Sequence, residues 1–386
     1  MKTLRISSDI SKILLLLLSW RLFLVGVFFF AQKNIPLAQA DKLLGGGPIN
    51  FYTAPEIFSW ANFDGEHYLS ISIFGYKSLE QAFFPFFPMM IHFFASPFWG
   101  SSFSTLLSST IIGLLITNLV IILALLFLYK LILLDFPKKI AFTTIMLLLL
   151  FPTSFYFGAL YSESLFLLFS VLCFYCVREK RFFLASFFGV LASSTRIFGI
   201  LLLPVILIEV YQQKEKFFKF FWVFFIPLGL GLYMIYQYLT VGDALAFYHL
   251  QEIVGPQHQS GLVSLPQVYF RYIKMLLTVD MKSPIYQTIL LEFIIGIVFF
   301  LLPIYGYFKK IRLSYLVYAM LGFLTPTIQG SFSSVPRYVI VLFPSFLALA
   351  LFWNSLSRIP KIIYLFVSVI ILGLETALFL RGYWVA

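Results

Sequence analysis

Apolar residues run in long unbroken stretches along this chain, and polar residues are confined mainly to the segments between them. The stretches fall near 13–31, 105–129, 140–157, 164–178, 182–194, 197–211, 218–239, 285–308, 314–328, 338–355 and 362–380. A helix that crosses a bilayer needs about 20 mostly apolar residues, so the pattern predicts an all-α polytopic membrane protein with about eleven transmembrane helices, several of them short or abutting. Residues 83–99 (FFPFFPMMIHFFASPFW) are equally apolar, but Pro85, Pro88 and Pro97 disfavour a continuous helix, and an interfacial or re-entrant segment is expected there. Two longer connections remain, 32–82 (or to about 104 with that segment) and 240–284. The first opens with the turn-rich Gly45-Gly46-Gly47-Pro48 and continues into an aromatic, partly amphipathic stretch that suits interfacial helices. With no repeats at solenoid spacing and no low-complexity linker, residues 1–386 read as a single domain.

Composition supports the bilayer. The chain is 61% hydrophobic with a mean hydropathy of +0.96 and 11% charged residues, against roughly 25% in a typical soluble domain. The net charge of +11 could suit nucleic acid, but the basic residues come in twos and threes between apolar runs rather than on one amphipathic face, so nucleic-acid binding is not expected. With the N-terminus cytoplasmic, the inner segments hold Lys2, Arg5 and Lys12; Lys130, Lys138 and Lys139; Arg178, Lys180 and Arg181; Lys214, Lys216 and Lys219; Lys309, Lys310 and Arg312; Arg358 and Lys361. The longer outer segments hold fewer, and the positive-inside rule selects this orientation. Counting 83–99 as a full span would put Lys138 and Lys139 outside, a second reason to reject it. Arg21 lies within the first apolar run, which is too long for a signal peptide's core, lacks a small-x-small cleavage site and is expected to be retained. Cys173 and Cys176 read as small apolar helix residues, since the rest of a metal-ligand set is missing.

Once the orientation is set, the polar outliers gather on the outer face. W-A-N-F-D-G-E-H-Y-L (60–69) carries Asp64, Glu66 and His67; G-A-L-Y-S-E-S-L-F (158–166) carries Glu163; S-S-T-R-I-F-G (193–199) carries Arg196; and S-S-V-P-R-Y (333–338) carries Arg337 and Tyr338. A charge at a helix end within the membrane boundary costs a few kcal/mol on insertion scales and is a functional-site hypothesis by default. Plainer roles stay open: Arg196 and Arg337 as interfacial anchors, Glu163 as a solvated loop charge, Asp64 in an Asx turn, His67 in packing. An outer-loop acid, later basic residues and an apolar approach suit group transfer from a lipid-linked phosphate donor. The carboxylate would deprotonate an acceptor hydroxyl, and arginine would stabilise the departing phosphate. Asp64, Glu66 and Glu163 could hold a divalent ion if they met in space, but nothing in their spacing requires one and no cofactor is expected.

At these residues the chain resembles the PIG-V family of mannosyltransferases, members of the GT-C superfamily of membrane glycosyltransferases. The resembling pieces are F-D-G-E-H-Y-L-x-I-x-x-x-G-Y (63–76), A-F-F-P-F-F-P (82–88), P-T-S-F-Y-F-G-A-L-Y-S-E-S-L-F (152–166), S-S-T-R-I-F-G (193–199) and P-R-Y followed by F-P (336–344). The resemblance implies a GT-C-like fold and an inverting displacement. It makes Asp64 the catalytic base and Glu163 a second catalytic acidic position, with Arg196, Arg337 and the adjoining Tyr338, Glu66 and His67 as substrate contacts. It implies polyprenyl- or dolichyl-phosphate mannose as donor and a hydroxyl acceptor. The chain is shorter than the eukaryotic enzymes and its Phe/Ile/Leu/Lys-rich composition suggests a prokaryotic member, for which the expected location is the cytoplasmic membrane with the site facing outward. A eukaryotic member would belong in the endoplasmic reticulum. The alternatives are a transporter for lipid-linked glycans or solutes, which would favour charges near the midplane and repeated halves, and a non-catalytic partner subunit of envelope assembly.

Overall fold

A computed structural model describes residues 2–38, 52–250 and 263–385, and among them every regular element is helical. Labels are given to helices of ten residues or more. The first half of the chain contains α1 (Lys2–Asn34), α2 (Asp64–Phe74), α3 (Phe86–Ala95), α4 (Ser102–Leu133), α5 (Lys138–Leu149), α6 (Glu163–Arg178) and α7 (Phe182–Thr195). The second half contains α8 (Leu202–Gln212), α9 (Leu228–Val241), α10 (Leu265–Thr278), α11 (Pro284–Phe308), α12 (Leu313–Thr327), α13 (Phe343–Ser355) and α14 (Arg358–Leu380). The Gly45–Pro48 turn expected from the sequence lies outside the described residues.

Five segments are long and apolar enough to cross a membrane: Asp9–Asn34, Ser102–Leu133, Phe217–Val241, Ile285–Phe308 and Arg358–Leu380. A sixth is added if Val335–Val341 and Phe343–Ser355, bent by 86° from one another, form one span. Each of the eleven apolar windows is helical in whole or in part, but helix length supports five or six spans among the described residues. The difference has a physical source around residues 140–178. Every residue from Phe151 to Phe174 is buried inside the protein, so this stretch is apolar because it is core and not because it meets lipid. It breaks after α5 into an irregular passage with a short 3-10 turn, Ser154–Phe157, before α6 begins.

Residues 83–99 form α3, too short to span alone. Pro85 caps it and Pro88 falls in its first turn, where a missing N–H costs little; Ser96–Phe98 then closes it in a 3-10 turn.

Helix α6 is the axis of the fold, packed between α4 and α7. Its ends carry Glu163 and Arg178, about 22 Å apart at 1.5 Å per residue. At the Arg178 end, Arg178 pairs with Asp135 and lies 3.5 Å from Glu209, while Arg312 reaches the same two acids, each at 3.1 Å. Nearby in the chain, Lys180 and Lys219 bind Glu215. All of these cations come from segments that the charge bias assigns to one side. Cys173 and Cys176 are buried free thiols on this helix.

Candidate active site

The opposite end of α6 gathers the acids and arginines singled out above. Asp64 opens α2 after a sharp turn in which Phe63 adopts φ +58°, a conformation that L-residues rarely take. Phe63 packs on Phe379 and Trp384, and the neighbouring Asn62 is tied on both sides: its side-chain amide donates to Phe379 O at 2.7 Å and its carbonyl accepts from the Tyr161 hydroxyl at 2.9 Å. This bracing holds a strained turn that would otherwise cost about 1–3 kcal/mol. The turn also sets the Asp64 carboxylate in the first turn of α2, where the helix dipole favours negative charge.

Gly65 lets this loop lie against the next. A Cβ there would stand 3.3 Å from Leu160 O, and Leu160 N–H donates to Trp60 O at 2.9 Å. The two acid-bearing segments, 60–65 and 158–163, are thereby joined through their backbones. Tyr68 and Ser162 add a hydroxyl contact at 3.1 Å.

Glu163 stands at the first position of α6 with 1% of its side chain exposed. Its Oε1 accepts from Arg196 Nη1 at 2.5 Å and lies 3.7 Å from Arg337 Nε. Arg337 in turn donates from Nη1 to Asp64 Oδ2 at 2.6 Å and from Nη2 to the Tyr338 hydroxyl at 3.2 Å. The result is a chain of alternating charge, Asp64, Arg337, Glu163, Arg196. Aromatic rings wall it: the Arg337 guanidinium lies 5.0–5.7 Å from the ring centres of Tyr338, Tyr161 and Tyr156, and that of Arg196 lies 5.4 Å from Tyr338.

Arg196 takes its place because α7 ends there and the backbone turns extended before the 3-10 turn Ile197–Leu201. Arg337 sits in a single helical turn, Val335–Tyr338, reached through Ser334 at φ +60°. That turn is held from two directions. Thr153 donates to Pro336 O at 2.7 Å, and buried Glu292 on α11 accepts from the Ser334 N–H at 3.2 Å and from the Tyr272 hydroxyl at 2.6 Å.

Two of the expected substrate contacts lie apart from the chain of charges. His67 stacks on Phe83 with ring centres 4.6 Å apart and turns its Nδ1 toward Glu80, 3.9 Å away. Glu66 follows Asp64 by two residues, a spacing that puts the two side chains on different faces of α2. Asp64, Glu66 and Glu163 do not assemble a metal-binding group: among the described residues no cluster of three or more His, Cys, Asp or Glu could hold an ion. His67 titrates above its ordinary value. Burial opposes its charge, but Glu80 beside it and the charges of Asp64 and Glu66 outweigh that, while Glu80 is held below the usual carboxylate range against its own burial.

The aromatic wall (Tyr156, Tyr161) and the supports behind Arg337 (Tyr272, Glu292) are additions to what the sequence suggested. Both wall tyrosines lie inside the 152–166 motif, which was the one available signal for them.

The family model described as Mannosyltransferase (PIG-V) matches residues 11–250, well over half the chain and including Asp64, Glu163 and Arg196. No curated protein matches the chain.

Proposed function

The chain belongs to the PIG-V mannosyltransferase family, and from that premise we propose that it moves a mannosyl unit from a polyprenyl-phosphate donor to a hydroxyl acceptor with Asp64 as base. It is a multi-pass membrane glycosyltransferase, of a class that uses lipid-linked sugar donors. The observation that carries the finer reading is the alternation of Asp64, Arg337, Glu163 and Arg196 in one aromatic-walled cluster.

In such a donor the phosphate is a diester with one negative charge. As the bond from sugar C1 to the phosphate oxygen breaks, the polyprenyl phosphate leaves as a monoester carrying a second. Arginines beside that oxygen therefore gain more in the transition state than in the bound donor. At rest Arg337 is held on Asp64. An arriving phosphate draws the guanidinium toward itself and frees Asp64 Oδ2 to take the acceptor's hydroxyl proton. The acceptor oxygen then attacks C1 from the face opposite the phosphate; the new C1–O bond forms, the old bond's electron pair leaves on phosphate, and the proton ends on Asp64. Configuration at C1 inverts. Glu163 keeps both arginines in place, and Tyr338, Glu66 and His67 line the approach of the acceptor.

On this reading the N-terminus is cytoplasmic and the cluster faces outward, across the cytoplasmic membrane of a prokaryote or into the endoplasmic reticulum of a eukaryote. The shorter apolar helices α5 to α8, α12 and α13 lie at membrane depth and complete the eleven-crossing topology.

The test uses purified protein in lipid nanodiscs with labelled polyprenyl-phosphate mannose and a membrane extract as acceptor source. Asp64→Asn is expected to abolish transfer while the protein stays monodisperse. Transfer at the wild-type rate by that variant would overturn Asp64 as base.

A further inference from the structure

Three helices end alike on the side where the basic residues gather. Helices α6, α8 and α11 each close on a lysine two places past the last helical residue, Lys180, Lys214 and Lys310, with φ of +59°, +55° and +58°. At α6 the Lys180 N–H donates to Val177 O at 2.9 Å and the Arg181 N–H to Cys176 O at 2.8 Å; at α11 Lys310 and Ile311 repeat this on Tyr307 and Gly306, each at 3.0 Å. Glycine is the usual residue at that position, because it enters the left-handed region freely and a residue with a side chain does not. The positive-inside rule asks for cations somewhere in these connections, not at the position where the backbone resists them.

The first of these lysines lies on a recess with fixed walls. A cavity of about 390 Å³ opens between the turn that joins α6 to α7 and the start of the segment Phe217–Val241, and its lining includes Lys180, Arg181, Lys219, Glu215, Phe183 and Trp222. Ser186 on α7 donates to Trp222 O at 2.6 Å, and the rings of Phe183 and Trp222 meet edge to face with centres 5.2 Å apart. Three cations there face one acid. Lys180 and Lys219 share Glu215, one on each oxygen, at 2.6 and 3.1 Å, and among the described residues no carboxylate pairs with Arg181. Beside the charges apolar rings stay uncovered: Phe183 is 58% and Phe218 87% exposed. Lys219 falls two residues, about 3 Å, into a segment long and apolar enough to span, which is the depth where headgroups give way to hydrocarbon.

We propose that this recess binds the headgroup of an anionic phospholipid, with Lys180, Arg181 and Lys219 on the phosphate and the rings of Phe183, Phe218 and Trp222 against the upper acyl chains. The recess sets both requirements. Its excess of positive charge selects a head that carries net negative charge, and its uncovered rings, continuous with the apolar surface of the span, select an apolar body. A soluble anion meets only the first requirement, and a zwitterionic lipid brings its own ammonium. The site lies beyond the Arg178 end of α6, at least about 22 Å along the helix from Glu163, and so is separate from the Asp64–Arg196 cluster. A lipid held there ties the α6–α7 turn to the span that begins at Phe217. The inference depends on that segment lying in the bilayer and not on the sugar chemistry.

Native mass spectrometry of the full-length protein in detergent tests it, with phosphatidylglycerol and phosphatidylcholine as the probes. Wild type is expected to hold one phosphatidylglycerol about tenfold more tightly than phosphatidylcholine, in keeping with a small excess of cations at a membrane surface. Lys180→Gly and Arg181→Gln should each lower that preference about threefold, and together they should erase it. Glycine suits the backbone at position 180, which offsets the loss of an exposed ion pair, so Lys180→Gly should melt within about 2 °C of wild type and its lost preference is not a lost fold. Lys310→Gly removes the same cation from the same kind of helix end outside this recess and should keep the preference. If it loses as much as Lys180→Gly, a diffuse positive field and not the recess attracts the lipid, and the proposal fails. Excess inorganic phosphate should not release the lipid; if it does, the phospholipid is not the occupant. A folded Lys180→Gly/Arg181→Gln protein with the full preference overturns the proposal, and if that protein does not fold, an unchanged preference in Arg181→Gln alone does so.

Discussion

The pair Glu163–Arg196 offers a direct measure of how the cluster holds together. Replacing Glu163 with Gln removes a charge that is 1% exposed and leaves Arg196 with no acid, because its ion pair at 2.5 Å is with Glu163. Removing one partner of a buried pair costs about 3–5 kcal/mol; Gln still offers an oxygen to Arg196, which points to the lower end, about 3 kcal/mol. An unfolding entropy of about 2.1 cal/mol/K per residue gives about 0.8 kcal/mol/K for 386 residues, so each single variant should melt about 4 °C lower. Arg196→Gln should cost a similar amount, since it leaves Glu163 with Arg337 Nε at 3.7 Å as its remaining cation. The double variant removes both charges and strands neither, while Arg337 keeps Asp64. It should therefore melt about 4 °C below wild type rather than about 8 °C, a coupling of about 3 kcal/mol. Thermal unfolding of the four proteins in one detergent, followed by tryptophan fluorescence, measures the cycle. If the two single effects add to within about 0.5 kcal/mol, Glu163 and Arg196 do not share a buried pair and the arrangement described here is wrong.

Arg337→Gln should lower the transfer rate by about 10²- to 10³-fold, the usual loss on removing one preorganised donor to a developing oxyanion. Arg337→Lys should recover only part of that, because one ammonium cannot span Asp64 Oδ2 and the Tyr338 hydroxyl as the fork does; wild-type kinetics in the lysine variant would contradict this. The His67–Glu80 pair makes stability depend on pH. His67 titrates above its ordinary 6.5, so its contribution is full below that value and fades as pH rises through the folded-state value; Glu80 titrates below 4.5, so its contribution is full above that value and fades as pH falls through the folded-state one. The melting difference between wild type and His67→Asn should peak between pH 4.5 and 6.5 and stay within tenths of a kcal/mol, because the histidine side chain is 45% exposed. A difference that stays flat from about pH 4 to 8 would remove the ion pair.

Scarcity made Asp64, Glu163, Arg196 and Arg337 legible from the sequence. With 11% of residues charged, an acid or arginine outside the basic loop clusters stands out, and the structure gathers these four into one contiguous set. Tyr156 and Tyr161 carry no such contrast in a chain with 22 tyrosines. The support from Glu292 and Tyr272 was equally hidden, because it joins α10 and α11 to a turn more than forty residues later. The orientation of His67 was hidden for a local reason: stacking on Phe83 turns its ring toward Glu80, and sequence spacing to Asp64 says nothing of that rotation. Eleven apolar windows stand beside five or six helices long enough to span by themselves, because hydropathy is blind to helix length and to the destination of an apolar side chain. Residues 151–174 bury their apolar groups against their own protein, yet read like a stretch that faces lipid.

The two ends of α6 hold ionic clusters of similar make-up, and their hydrogen bonding separates their roles. At the Arg178 end the acids are saturated: Asp135 accepts from Arg178 and Arg312 on both oxygens, and Glu209 accepts from Arg312 and Gln213 on one oxygen and Ser314 on the other. Its charged groups have nothing left to offer a ligand, Gln213 Oε1 at the edge being buried without a partner, and the cluster reads as a lock between α4, α6, α8 and α12. At the Glu163 end the accounting is open. Glu163 Oε2 and Arg337 Nε are buried without a hydrogen-bond partner, and Asp64 keeps 24% of its side chain exposed. Buried polar atoms left unmatched cost about 1–3 kcal/mol each, and here both a carboxylate oxygen and a guanidinium N–H stand unmatched among the charged groups themselves. A phosphate entering between the arginines would accept from Arg337 Nε, and the same movement would release Asp64 from its guanidinium. On the proposed mechanism, the cluster whose charged groups are incomplete at rest is the one that changes partners during the reaction.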